Sequence, residues 1–284
     1  GGFSRIDSLD VGEQLVRING EPRVYPLQAP DARFATTFDG KLDAMHLASG
    51  KLPGTTAVKD STGLASGALL YTIKLEPGQS REVAVVLPQT GSWAPQALDV
   101  AKAQQQVAAQ WRQKLGVVSL QVPAAGQPLV ETLRTAVAHM LISRVGPRLQ
   151  PGTRSYARSW IRDGAMISEG LLRMGRSDAV RDYVNWYAPF QFENGKVPCC
   201  VDARGSDPVP ENDSHGELIY NIAEYWRYTG DGTFLELMWP HVQGAYQYME
   251  QLRASERTEE NRARNPAFYG MMPASISHEG YSAK

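Results

Sequence analysis

Two short segments concentrate side chains able to do acid–base and polar-recognition chemistry. In the first, Arg154 to Ala165, Arg162 and Asp163 stand side by side, two residues after Trp160. A guanidinium and a carboxylate in tandem can bond two neighbouring hydroxyls, and an indole face can cover the apolar face of a pyranose. The same residues also read as a helix-capping Asp, a solvated Arg and a core Trp, and their spacing leaves both readings open. The second segment runs from Val209 to Glu217 and opens into an apolar-periodic stretch that ends at Trp226. Glu211, Asp213 and Glu217 place three acids within seven residues. A carboxyl group at a helix start, shielded by aromatics, has its proton affinity raised by desolvation and can act as a general acid. Asp213 or Ser214 with Glu217 also matches a capping box. Glu211 and Glu217 are read as orienting or capping groups rather than proton donors, which leaves Asp213 as the candidate acid. His215 is close enough in sequence to bond Asp213 or a ligand, although a structural role is the commoner fate of a lone histidine.

The surrounding chain must position these groups. Residues 1–95 read as β: Ala68–Leu75 and Ser80–Leu87 carry β-branched and aromatic residues around a Pro77-Gly78 turn, which predicts a hairpin. From 96 to 125 the composition turns to Ala and Gln, with Leu98, Ala101, Val107, Ala108 and Trp111 at roughly helical spacing and Gly116 as a stop, which predicts a linker helix. Residues 126–284 then show helical stretches separated by loops. The first is 128–142, with Leu129, Leu133, Val137 and Leu141 on one stripe and Pro128 in its first turn. Further helices are expected over 162–174, 178–190, 214–228 and 233–252, the last interrupted or begun by Pro240. Trp186, Trp226 and Trp239 fall inside these helices and are expected in the core. The 190–210 loop exceeds the usual length of a passive connection, so a role in shaping a ligand site is expected.

A net charge of −1 gives no electrostatic basis for holding nucleic acid or an anionic membrane. The only cysteines, Cys199 and Cys200, are adjacent, so neither a disulfide framework nor a metal site is expected. No cofactor is called for, and the sequence assigns no compartment. The first residues, Gly1-Gly2-Phe3, and the run to Lys284 read as a piece of a longer chain. An isolated piece of a closed helical array would expose apolar faces and tend to self-associate.

Trp160-Ile161-Arg162-Asp163-Gly164 resembles the W-x-R-D element of the six-hairpin glycosidases, the superfamily of glucoamylases and glycogen-debranching glucosidases. Asn212-Asp213-Ser214, leading to Tyr225-Trp226-Arg227-Tyr228-Thr229-Gly230-Asp231, resembles the acid-bearing segment of its debranching-type members. The resemblance implies an antiparallel β-sandwich (1–95), a linker helix (96–125) and the first part of an (α/α)6 barrel (126–284). It implies an inverting, exo-acting hydrolase of an α-linked glucan or glucoside, its partner an oligosaccharide or polysaccharide. Arg162 and Asp163 would hold hydroxyls of the terminal sugar, Trp160 would stack nearby, and Asp213 would protonate the leaving oxygen. The catalytic base would lie in a later hairpin. Glu211, His215, His278 and Glu279 complete the expected substrate contacts; Glu279 is read as a ligand contact more readily than as the base. Two alternatives stand beside this reading, an inverting phosphorylase of the same superfamily and a carbohydrate-binding protein without catalysis.

Overall fold

A computed structural model describes residues 5–40, 50, 52, 54–89, 93, 98–154 and 156–276. The chain combines helices with small antiparallel sheets and divides into two compact units between Ala109 and Gln110, inside the first helix described, α1 (Val100–Leu115). Asp99 caps α1 by accepting the Lys102 N–H at 3.0 Å.

The N-terminal unit contains strands β1 (Ser8–Val11), β2 (Val16–Ile18), β3 (Glu21–Pro26), β4 (Ala32–Thr36), β5 (Ala57–Lys59), β6 (Ser66–Leu70) and β7 (Val85–Val86). Five form one antiparallel sheet in the order β5-β1-β2-β3-β7, while β4 and β6 form a separate ribbon. Leu9, Val11 and Val16 of the sheet meet Ala35 and Ala65 in a small apolar core. The tight hairpin of this unit joins β2 and β3 through Asn19-Gly20, whose φ angles of 53° and 82° suit a primed turn and match the strand twist.

The hairpin expected between 68–75 and 80–87 is corrected. Its turn exists, with Gly78 at φ 80° and the Gln79 N–H bonded to the Glu76 carbonyl at 3.0 Å. Its arms do not pair with each other: β6 joins β4, and β7 joins β3. A turn signal is local, but a strand's partner is chosen by which apolar face it can bury.

The second unit contains α2 (Gln127–Ser143), β8 (Ser159–Trp160), α3 (Ile161–Arg173), α4 (Ser177–Tyr187), β9 (Cys200–Asp202), β10 (Gly205–Ser206), α5 (Ser214–Thr229), α6 (Gly232–Ser255) and α7 (Glu259–Arg264). Its core lies among α3, α4, α5 and α6. Val180, Tyr183, Val184 and Tyr187 are all 0% exposed, which agrees with the face read from the sequence for α4. Gly175 at φ 73° ends α3, and Gly230 at φ 67° ends α5, both as C-terminal left-handed caps. A Cβ on Gly164 would overlap the Tyr183 phenol, so this small residue lets α4 close onto α3. Helix α6 runs unbroken through Pro240.

Two packing expectations are corrected. On α2 the buried side chains are Val130 and Val137, whereas Leu129 points outward, because burial follows the neighbouring helix and not the best-looking stripe. Trp226 and Trp239 are exposed at 43% and 51%, whereas Trp186 packs against the core. The 190–210 segment is partly packed into the unit and partly exposed. Val197, Cys199, Cys200 and Val201 are buried in it, and Gln191 bonds the carbonyls of Gly195 and His241. No helix among the described residues is long and apolar enough to cross a membrane.

Candidate active site

The two segments singled out by their chemistry meet where α3 and α5 begin. Trp160 occupies the N-cap position of α3 from an extended conformation and pairs with Cys200 across β8–β9. Asp163 is therefore a first-turn residue inside α3, which removes the capping reading for it. The Arg158 guanidinium lies 5.5 Å from the centre of the Trp160 ring, and the ring of Tyr156 lies 6.0 Å away. The indole thus already has a cation on its surface.

Asp213 holds the N-cap position of α5, yet its side chain makes no cap hydrogen bond. It accepts instead from Arg162, with Nε and Nη2 both 2.6 Å from Oδ2. The Arg162 Nη2 also reaches the Glu211 carboxylate at 3.1 Å. One guanidinium from α3 therefore ties together two acids of the second segment. A planar fork can do this, whereas a lysine ammonium offers only a point charge. Glu211 is 3% exposed. Its reading as a substrate contact is corrected, because burial under Arg162 makes it a positioning group.

His215 is also corrected. It is 0% exposed, its Nδ1 accepts the Val197 N–H at 3.1 Å, and its ring meets Tyr248 edge-on at 4.8 Å. With Nδ1 accepting, the ring proton sits on Nε2. Burial, then the Lys196 charge, pulls its pKa down to about 4, against a smaller opposing pull from Asp213. Because the folded value lies below the ordinary 6.5, the unfolded chain binds this proton first as pH falls. This stability contribution is complete above about pH 6.5 and is lost as pH drops towards 4. Urea unfolding between pH 4.5 and 7 should show a loss of roughly 1–3 kcal/mol that His215→Asn largely flattens. An unchanged slope would show that His215 does not titrate on unfolding.

Glu217 sits one turn beyond Asp213 on α5. Burial, then the Asp213 charge, raises its pKa, and Arg162 only partly offsets this. Asp213 and Glu217 line a cleft of about 350 Å³ with Ala165, Met166, Glu169, Gly216 and Tyr220. Asp163 faces an adjoining cleft of about 410 Å³ with His139, Gln150 and Ile167 among its walls, and Met166 borders both. Glu169 is paired with Arg173 and accepts a bond from the Tyr220 hydroxyl.

Glu169, Tyr220, His139 and Met166 were not among the expected site residues. Helical periodicity from Arg162 and from Asp213 reaches Met166, Glu169, Glu217 and Tyr220 by steps of three and four. His139, on α2, carries no such signal. Residues 273–276 lie against the second segment: the Asn212 amide donates to the Pro273 carbonyl at 3.0 Å, and the Ile276 N–H donates to Pro210 at 3.0 Å. His278 and Glu279 lie outside the described residues.

Taken together, the α3–α5 junction holds an Arg–carboxylate clamp, a further carboxyl whose proton affinity is raised by burial, and flanking hydroxyl and amide groups. That set can bind hydroxyls and move a proton. Comparison with known protein families, with characterised proteins and with solved structures gives no match.

Proposed function

We propose that this cleft cleaves a glycosidic bond at the non-reducing end of an α-linked glucan or glucoside, with inversion. The reading takes the helical unit as the first part of an (α/α)6 barrel and the strands as an antiparallel sandwich. The observation that carries it is the Asp213–Glu217 pair, opening into a cleft with Asp163 in the adjoining one. Burial and the Asp213 charge raise the proton affinity of Glu217, and a carboxyl so raised beside a second one is a usual arrangement for general acid chemistry. Arg162 and Asp163 would orient sugar hydroxyls, and Asp213 would deliver the proton to the leaving oxygen. In an inverting enzyme the base faces the acid across roughly 6.5–9.5 Å, with water between them.

One observation favours a variant of this mechanism. Asp213 takes two contacts from Arg162, while burial and the Asp213 charge raise the proton affinity of Glu217. In that variant Glu217 is the donor, and Asp213 stabilises the positive charge developing on the sugar. The test of the function itself is sugar release from α- and β-linked glucosides and from malto- and isomalto-oligosaccharides, with and without phosphate. Release without phosphate supports the hydrolase. Release as a sugar phosphate, strictly phosphate-dependent, replaces it with the phosphorylase. Binding without release from any member of the panel leaves a carbohydrate-binding protein.

A further inference from the structure

Beside the start of α3, and not among the residues that line the two clefts, Cys199 and Cys200 are both free and buried, with their Sγ atoms 3.5 Å apart. Asp207, brought back by the β9–β10 turn, places Oδ2 3.8 Å from the Cys200 Sγ. The three ligand atoms lie within 4.8 Å of one another. Adjacent cysteines offered no metal site in the sequence, because the third ligand is supplied only by the fold.

We propose that Cys199, Cys200 and Asp207 form a binding site for a thiophilic divalent cation, zinc being the natural candidate. The geometry suits a tetrahedral ion. With Zn–S near 2.3 Å, sulfurs at the observed 3.5 Å separation subtend about 100° at the metal. With Zn–O near 2.1 Å, the observed 3.8 Å from sulfur to carboxylate oxygen corresponds to about 120°. These two angles bracket the tetrahedral value; the Cys199 sulfur and the Asp207 oxygen, within 4.8 Å of each other, must also lie within about 4.4 Å to share one ion. Two thiolates and a carboxylate are a soft, anionic donor set suited to zinc or cadmium rather than to calcium or magnesium.

The surrounding charges are compatible with an ion. Arg158 bonds Asp207 at 2.7 Å and lies in ion-pair contact with Asp202 at 3.0 Å, and Arg204 bonds Asp202 at 2.6 Å. Two guanidiniums thus balance two carboxylates. A divalent cation that enters as two thiol protons leave to solvent keeps that balance, so Arg158 need not be expelled. The site is also mechanically connected: the Cys199 carbonyl accepts the Ile161 N–H at 3.0 Å, and Cys200 pairs with Trp160. A bound ion would brace the strand from which α3, with Arg162 and Asp163, begins.

The test is titration of the full chain, reduced with a non-thiol reductant, with cadmium ion as the probe. The expected result is an ultraviolet sulfur-to-cadmium charge-transfer band saturating at one ion per chain, with zinc competing for the same site. Cys199→Ser and Cys200→Ser should each abolish the stoichiometric band. Asp207→Asn, which keeps both sulfurs, should weaken binding by roughly 10-fold or more. Because the ligands are buried, the titration is repeated on chain refolded with cadmium present. Absence of the band in both preparations would overturn the proposal, as would undiminished affinity in Asp207→Asn. Neither outcome bears on the glycosidase reading, which the site does not require.

Discussion

Asp213→Asn is expected to lower kcat on an unactivated glucoside by about 10²–10⁴ and to leave the melting temperature close to that of the parent chain. The stability half of this expectation follows from the structure. Asp213 is a partly exposed carboxylate whose side chain caps nothing, so an isosteric amide leaves α5 intact. The activity half follows from the proposed chemistry, in which this carboxyl serves the reaction either as acid or as anion. Unchanged kcat would remove Asp213 from the mechanism. Glu217→Gln in the same assay decides where the proton sits. If Asp213 is the donor, losing the Glu217 carboxyl removes a neighbouring negative charge, and the basic limb of the pH–rate profile moves to lower pH with kcat largely kept. If Glu217 is the donor, the basic limb disappears and kcat falls about as far as a missing general acid demands. Substrates with good leaving groups should then recover much of the rate, since they need little protonation.

The second large effect concerns Arg162. Arg162→Leu takes the guanidinium away from Glu211, whose side chain is 2% exposed, and should destabilise the fold by about 3 kcal/mol, the cost of leaving a buried carboxylate without its cation. For a unit of this size that corresponds to a fall in Tm of roughly 6–12 °C. Adding Glu211→Gln to Arg162→Leu should recover much of the loss, because the amide removes the buried charge that Arg162 was offsetting. Strict additivity of the two substitutions in a double-mutant cycle would show that the pair is not coupled. Arg162→Lys should fall between parent and Leu, since one ammonium cannot bond both Asp213 and Glu211 in the forked geometry seen here.

These residues show how the acids of the second segment divide. Glu211 lies under Arg162 and positions it. Asp213 takes the other edge of the same guanidinium and faces the cleft. Glu217 stands apart from the clamp, and burial raises its proton affinity. An Arg from one helix start and three acids from another become four different chemical situations, because burial and distance from one cation differ along two turns of chain.

What the sequence alone determined is what repeats locally. The limits of α3, α4 and α5 were legible to within a few residues from 3.6-residue periodicity and from Gly175 and Gly230. The same periodicity identified Val180, Tyr183, Val184 and Tyr187 as a buried face. Asn19-Gly20 is an equally local hairpin signal, and the strands on its two sides pair with each other. Tertiary packing decided the rest. It sent the arms on either side of Glu76–Gln79 to different partners, buried His215 and Glu211, and left Trp226 and Trp239 in solvent. It also joined Arg162 to acids some fifty residues away and set Asp207 beside the two cysteines. Side-chain type and helical phase are properties of a few neighbouring residues, whereas an ionisable group's partner and its proton affinity depend on which distant segments exclude water around it.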